Sequence, residues 1–254
     1  MLYSLSQLLP FLLSNGWGCI FCKRGVFGLK KKFYTELAYI VGLLTLAFGA
    51  ALMTMADFGL SMIVAPAYIL HLKLSQTWSF FTFGMAEYTL QAVLLLITVG
   101  VLRRFRVSYL LSFVTAFIYG MLLDGFIELF STFSFEALYL RVAAYVLGLL
   151  FTSFGVTMFF RTYLSPEVYE LLVKEVSKKF GVTLSRFKTF YDCGSLVVSV
   201  IMTFSFFGLW EFRGIGWGTL VCALVNGWLI GRATKILDKH FEFTDGLRWR
   251  KFFE

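Results

Sequence analysis

The stretch AYIVGLLTLAFGAALM at residues 38–53 returns 106 residues later as AYVLGLLFTSFGVTMF at residues 144–159. Seven of the 16 aligned positions are identical, and they include two glycines, a tyrosine and a phenylalanine in register. Shared hydrophobicity explains a few such matches, but not this set. A second pair of segments, residues 112–124 and 219–231, places Gly120 opposite Gly227. Within an apolar chain, such a repeat is typical of transporters and channels built from two halves.

The composition indicates an integral membrane protein. Hydrophobic residues make up 59% of the chain and charged residues only 15%, whereas soluble domains are about a quarter charged. Continuously apolar runs of about 20 residues are long enough to cross a bilayer and differ from the alternating pattern of a β-barrel. The sequence therefore predicts an all-α protein in a lipid bilayer, with six transmembrane helices at about residues 37–56, 84–102, 107–129, 141–160, 190–209 and 214–236.

The positions of the cations predict the topology. Twenty of the 23 lysines and arginines lie in the terminal segments or the even-numbered loops, and three lie in the odd-numbered loops. Because positive charge is retained in the cytoplasm, both termini are predicted to be cytoplasmic and the number of spans even. This role accounts for the net charge of +8 without a nucleic-acid partner.

Six spans in two repeats give three spans per repeat, so the second repeat is predicted to be inverted relative to the first. The repeats comprise residues 33–136 and 137–237. Residues 1–32 precede them, and residues 1–22 are predicted to form an interfacial helix, with a seventh span as the alternative. Cys19 and Cys22 in this segment are interpreted as free thiols. A basic and aromatic tail, residues 238–254, follows the second repeat.

Two linking segments lie at matching places in the repeats and predict short helices after spans one and four. Gly59, Ser61 and Pro66 in the first, and Ser165 with Pro166 in the second, are candidate helix breaks. In transporters, broken helices at such places form a central site. The alternative is a pair of amphipathic surface helices, which the charged face of the second segment favours.

Several motifs carry a family resemblance, which covers about residues 35–238. They are ADFGLS (56–61), FTFG (81–84), LSPEVYELL (164–172), RFKTFYD (186–192) and GIGWGT (214–219). With them the chain resembles the YczE/YyaS/YitT-type bacterial membrane proteins, most closely the YczE-like branch. The resemblance implies a multi-spanning protein of the bacterial inner membrane. It also implies a tyrosine–acid pair soon after the proline, a place that Tyr169 and Glu170 take in this chain.

Acidic and amide side chains within the spans are the candidate site. Glu87 in span two and Asp192 in span five are repeat mates at an offset of 105, and Gln91 lies one turn after Glu87. By the inverted topology they are expected at opposite mouths of a proton or cation pathway; the alternative is that each caps a neighbouring helix. Asp124 and Asn226 are expected to face the bundle interior beside them. Gly120 and Gly227 are expected to allow close helix packing.

The motifs also exclude several classes of protein. The chain has no phosphate-binding loop, no HExxH or GxSxG motif, and only two histidines, His71 and His240. We therefore expect no catalytic, cofactor or metal site. The predicted function is a secondary transporter or exporter of a small solute of unknown identity, and proton coupling is left open. The alternative is a non-transporting scaffold or regulator of a partner enzyme, and a homo-oligomer is left open. The repeat favours transport, because a scaffold does not need inverted symmetry.

Overall fold

The computed structural model describes residues 31–59, 61–81, 83–133, 136–208 and 214–247. These residues form eight α-helices, two short strands and one 3-10 turn at Val107–Tyr109. The helices are α1 (Thr35–Ala56), α2 (Ala65–Leu74), α3 (Phe83–Leu102), α4 (Leu111–Ser131), α5 (Leu138–Phe159), α6 (Val168–Phe180), α7 (Leu184–Phe207) and α8 (Trp217–His240), and the strands are β1 (Lys31–Tyr34) and β2 (Phe241–Thr244). The predicted interfacial helix, the Cys19/Cys22 pair and the end of the tail lie outside the described residues.

Six helices, α1, α3, α4, α5, α7 and α8, are long and apolar enough to cross a membrane. Within the part of the chain that the structure describes, the prediction of six helices of membrane-spanning length is therefore confirmed. The largest difference from the predicted bounds is at α7, which begins at Leu184 rather than near residue 190. Lys188 was expected in the preceding loop because it is charged, but it lies within the helix and is fully buried.

Contacts between distant segments identify the two ends of the bundle. Strands β1 and β2 pair in parallel, which places the start of α1 and the end of α8 at one end, here named the strand end. At the opposite end, here named the far end, Arg141 at the start of α5 donates a 2.9 Å hydrogen bond to the carbonyl of Ala56. The same side chain lies 3.2 Å from the carboxylate of Asp57. Helices α1 and α5 therefore run antiparallel.

The repeated glycines bring α1 and α5 into close contact. A Cβ on Gly148 would lie 2.6 Å from the carbonyl oxygen of Gly49, and one on Gly155 would lie 2.7 Å from that of Gly42. Only a residue without a side chain allows the two backbones to approach this closely, which is a common way for membrane helices to associate. The quoted repeat thus forms the central helix pair of the bundle.

The linking segment after α1 enters the bundle from the far end. The chain turns at Gly59, whose φ of +110° favours glycine. Ser195, the twelfth of the 24 residues of α7, donates a 2.7 Å hydrogen bond to the carbonyl of Met62. Helix α2 then returns to the far end, where Lys73 donates to the carbonyl of Phe206 near the end of α7. Helix α2 therefore begins near the middle of the bundle.

The linking segment after α5 enters from the strand end. Tyr163 donates a 2.7 Å hydrogen bond to Glu36 at the start of α1. Six residues later, Tyr169 reaches Glu87, the fifth residue of α3 counted from its far-end start. Helix α6 then returns to the strand end, where Lys179 donates to the carbonyl of Val101. We name α2 and α6 the half-helices, because each begins inside the bundle and leaves on the side from which the chain entered.

The interpretation of the second linking segment as a surface helix is wrong. The first six residues of α6, from Val168 to Val173, are all buried, and its exposed residues are confined to Lys178, Lys179 and Phe180 in the last turn. The sequence pattern is amphipathic, as a surface helix would be. The polar residues in its first turn, Tyr169 and Glu170, however, meet polar partners on α3 and α7 instead of water.

Candidate functional site

The approach to α6 is held in place by the residues that precede it. The hydroxyl of Ser165 donates a 2.7 Å hydrogen bond to the carbonyl of Ser108, and the carbonyl of Ser165 accepts one of 2.8 Å from Thr115 in α4. Glu167 then has an extended backbone conformation, and the helix begins at Val168. The predicted break at Ser165 and Pro166 therefore fixes the depth at which α6 starts.

The first turn of α6 contacts α3 through Tyr169. Its hydroxyl donates a 2.7 Å hydrogen bond to Oε1 of Glu87, and the amide of Gln91 donates to the same oxygen at 3.3 Å. Gln91 is 2% exposed. The predicted pair of Glu87 and Gln91 therefore does face the protein interior, and it is held there by the tyrosine of the tyrosine–acid pair.

The same turn contacts α7 through Glu170. The Nζ of Lys188 lies 3.4 Å from Oε1 of Glu170 and 3.1 Å from Oδ1 of Asp192, one helical turn after the lysine. The Lys188 and Asp192 side chains have no exposed surface. Removing charges from water is costly unless they are paired with good geometry, so these two carboxylates explain why a lysine is tolerated inside the bundle.

Asp192 is connected further to α8 and α5. Asn226 donates a 3.4 Å hydrogen bond to Oδ2 of Asp192, and its own amide oxygen lies 2.8 Å from the hydroxyl of Ser153, which donates to it. Helix α8 can approach α7 closely here, since Gly227 packs against Thr189 of α7. The expectations that Asn226 faces the interior and that Gly227 allows close packing are therefore met.

Glu167 adds a fourth buried carboxyl group. It is 5% exposed, and it lies near Glu170, Glu87 and Lys188. Burial and the charges of the two neighbouring glutamates raise the pKa of Glu167 well above its ordinary value. Burial also raises the pKa of Tyr169, with the charge of Glu87 beside it acting in the same direction. We name Glu87, Glu167, Glu170, Lys188 and Asp192 the acid–lysine cluster.

The cluster is rich in carboxyl groups but is not arranged as a metal centre. Among the described residues, no three His, Cys, Asp or Glu side chains are placed so that they could hold one metal ion. A cavity of about 60 Å³ lies on the strand-end side of the approach to α6. Its lining includes Arg106, Lys174, Ser165 and Pro166, so it reaches the residues directly before Glu167. Cavities of this size and polarity hold water.

Two expectations about the site residues are wrong. Asp124 does not face the interior but is exposed on α4, because α4 packs on α1 through a neighbouring stripe that includes Leu123, Phe126 and Phe130. Gly120 does not mediate close packing, because a Cβ at this position would meet no atom within 4 Å.

The other correction concerns the two repeat-related acids. Glu87 and Asp192 were expected at separate mouths, but both are linked to the first turn of α6, Glu87 directly through Tyr169 and Asp192 through Lys188 and Glu170. They therefore belong to a single cluster. The half-helix brings them together, and its depth in the bundle is not visible in the sequence.

Sequence reasoning missed Lys188 and Glu167 as members of the site. The signal for Lys188 was its position four residues before Asp192, the spacing at which opposite charges pair on one helix face. Glu167 gave no comparable signal, because an acidic residue at a helix start is ordinarily a solvated N-terminal charge.

Comparison with known proteins assigns the family. The model of the family of unknown function DUF6198 matches residues 33–235, which include all six candidate spans except the end of α8. The chain belongs to this family. No curated protein and no solved structure matches it significantly.

Proposed function

We propose that this member of DUF6198 is a proton-coupled secondary transporter of a small solute, built from two inverted repeats. The observation that carries the proposal is the acid–lysine cluster at the inner end of a half-helix. Four carboxyl groups and one lysine are costly to bury, and a bundle with only a structural role could use apolar side chains in their place. Ionisable groups within the spans of a membrane protein are therefore functional candidates by default.

The contacts between the helices support an inverted repeat. A half-turn that maps Gly42 onto Gly148 also maps Gly155 onto Gly49, so it converts one of the close contacts between α1 and α5 into the other. The same operation exchanges α2 with α6 and α3 with α7. Each half-helix indeed packs against a span of the other repeat, α2 against α7 and α6 against α3.

The ends of α1 and α5 support the same symmetry. At the far end Arg141 contacts Asp57, and at the strand end Tyr163 donates to Glu36. Asp57 is the repeat mate of Tyr163 at the offset of 106, and Glu36 follows Thr35, the repeat mate of Arg141 at the same offset. With the excess of cations on one side, the strand end would be the cytoplasmic end. The half-helices α2 and α6 would then lead to the cluster from outside and inside.

The two repeats differ in a way that suits a molecule with more than one state. Helix α7 packs directly on α8. Their counterparts in the first repeat are α3 and α4, and α6 contacts both of these helices. A transporter with inverted repeats alternates between two conformations in which the halves exchange roles. The unequal halves are consistent with one such conformation, and protonation of the cluster would change the free-energy difference between the two.

A flux measurement on the full chain tests this function. The protein is reconstituted in liposomes that contain a pH-sensitive dye and carry an imposed pH gradient, and membrane-impermeant cations, anions, amino acids and sugars are added in turn. We expect one class of solute to accelerate the collapse of the gradient relative to protein-free liposomes. If no class does so while the protein is folded and inserted, the protein is not a proton-coupled transporter of these solutes, and the scaffold alternative is favoured.

A further inference from the structure

Several buried acceptor atoms of the acid–lysine cluster and of the neighbouring Gln91 have no hydrogen-bond partner. In the described part of the chain they are Oε2 of Glu87, Oε1 of Glu167, Oε2 of Glu170, the amide oxygen of Gln91 and Oδ1 of Asp192. The last of these lies 3.1 Å from Nζ of Lys188, whose charge compensates it, whereas the other four have no such cation beside them. The Gln91 amide nitrogen donates to Glu87, which fixes the orientation of the amide and leaves its oxygen as the unpaired atom. Buried acceptors without donors cost free energy, so this part of the cluster lacks hydrogen-bond donors.

The charge balance of the cluster leads to the same conclusion as its unpaired acceptors. With all four carboxyl groups ionised, Lys188 would compensate one negative charge and leave three. Glu87, Glu167 and Glu170 would carry that excess, since Lys188 lies closest to Asp192. Two kinds of species supply both positive charge and donors to such a group: protons on the carboxyl groups themselves, or a ligand cation that carries N–H groups.

The surroundings of Lys188 show which kind of chemical group the carboxylates of the cluster bind. Its ammonium lies between the carboxylates of Glu170 and Asp192 and 5.7 Å from the centre of the Tyr191 ring. This is the environment in which proteins bind alkylammonium and guanidinium groups, through charge-assisted hydrogen bonds and an aromatic ring. Two more tyrosines, Tyr119 and Tyr169, lie near the acids of the cluster.

Other ligand classes fit less well. An anion would be repelled by the excess of carboxylates. A sugar or another neutral solute would bring acceptors as well as donors and would leave the charge uncompensated. A bare metal ion needs several ligands arranged around one point, and the described carboxylates are not arranged in that way.

We propose that the solute is a small organic cation with N–H donors, an alkylammonium or a guanidinium, which binds at Glu87, Gln91, Glu167 and Glu170 in exchange for protons. The inference rests on the proposed transport function and gives it a substrate class. Protons and the cation satisfy the same acceptors, so each excludes the other. Titratable groups from four elements face this site and set the competition. They are Glu87 on α3, Tyr119 on α4, Glu167 directly before α6, Tyr169 and Glu170 on α6, and Lys188, Tyr191 and Asp192 on α7.

Binding to the purified full chain in detergent tests the substrate class without requiring transport. Methylguanidinium and n-propylammonium are titrated at pH 8.5 and pH 5.5, and proton release is followed with a dye in weak buffer. We expect both cations to bind at least tenfold more tightly at pH 8.5 and to release protons as they bind. Tetramethylammonium, which has the same charge but no N–H group, should bind at least tenfold more weakly at pH 8.5.

Variants locate the binding site. Glu170→Gln removes one acceptor charge and should weaken methylguanidinium binding at least tenfold, whereas Asp124→Asn makes the equivalent change at an exposed acid of α4 and should leave it unchanged. If Glu170→Gln does not fold, Gln91→Met removes an unpaired acceptor without changing the charge and should weaken binding severalfold. Equal binding of tetramethylammonium, binding without proton release, or full affinity in Gln91→Met would each overturn the inference.

The two proposals fail in distinguishable ways. Amine binding with proton release, but no solute-driven flux in liposomes, would support the ligand class and contradict transport. Proton-coupled flux of an anion or a sugar, without amine binding, would support transport and overturn the ligand class.

Discussion

Lys188 and Glu167 are two ionisable residues that the fold holds away from water. Lys188 has no exposed surface and depends on Glu170 and Asp192 for its neutralisation. Glu167 has neither an ion pair nor a hydrogen bond to its Oε1 among the described residues. The first residue therefore stabilises the cluster while charged, and the second stabilises the fold while protonated.

Replacing Lys188 tests the first of these roles. Lys188→Met leaves two carboxylates buried without a cation and should lower the free energy of unfolding by about 3–5 kcal/mol. The matched control is Lys178→Met, an exposed lysine on α6, whose replacement should change it by less than about 0.5 kcal/mol. Unfolding in mixed micelles with increasing dodecyl sulfate measures both. Equal stabilities for the two variants would show that Lys188 does not compensate the acids.

The pH dependence of stability tests the role of Glu167. Its pKa is raised in the folded protein above the ordinary value of 4.5, so the folded state keeps a proton that the unfolded state releases. As pH rises from 4.5 towards the folded pKa, the free energy of unfolding should fall, by at most about 1.4 kcal/mol per pH unit from this group. Glu167→Gln should remove this contribution and flatten the profile above pH 4.5.

The comparison for that profile is Glu136→Gln, the same chemical change at an exposed residue. Unfolding curves in mixed micelles at several pH values give the slope for each protein. A Glu167→Gln profile as steep as that of the wild type would contradict the assignment of a retained proton to this residue.

At the scale of single elements, the close contact between α1 and α5 can be tested by adding one methyl group to a glycine. In Gly148→Ala the new Cβ would lie 2.6 Å from the carbonyl oxygen of Gly49, and such overpacking should cost about 1–3 kcal/mol. In Gly120→Ala the new Cβ meets no atom within 4 Å, and alanine should stabilise the helix by up to about 1 kcal/mol. Thermal unfolding in detergent should therefore rank Gly120→Ala at or above the wild type and Gly148→Ala below it. The reverse order would refute the close contact.

The elements also separate what the sequence could predict from what it could not. The six spans follow from apolar runs, and the break before α6 follows from Ser165 and Pro166, because these signals are local. The depth of α6 is not local. Val168 and Leu172 would form the apolar stripe of a surface helix or of a buried one alike.

The site residues divide in the same way. Glu87, Gln91, Asp192 and Asn226 could be predicted because a polar side chain within a span ordinarily faces protein. The same rule placed Asp124 wrongly, since it assumes that every span is surrounded by others, and α4 is not covered by α3 as α8 is by α7. Whether Glu87 and Asp192 share one cluster depended on tertiary packing, which no spacing in the sequence encodes.

At the scale of the whole molecule, the proposed inversion makes a prediction about sidedness. The loop after α2 should face the side of the membrane opposite to the loop after α6. Gln76→Cys places an exposed thiol just after α2, and Lys178→Cys places one in the last turn of α6, beside its loop. An impermeant thiol reagent applied to intact cells should label the first but not the second. Labelling of both, above the background of the native cysteines, would refute the inversion.

The proton-coupled role of the acid–lysine cluster is the central claim, and solute-driven proton flux in proteoliposomes tests it most directly. Methylguanidinium, which stays charged and so does not cross the lipid as a neutral base, is added to one side while internal pH is recorded. The account predicts flux in the wild type and in Asp124→Asn, whose altered acid lies outside the cluster, and none in Glu87→Gln or Asp192→Asn. Flux of the wild-type size in both cluster variants, with protein equally folded and inserted, would contradict it.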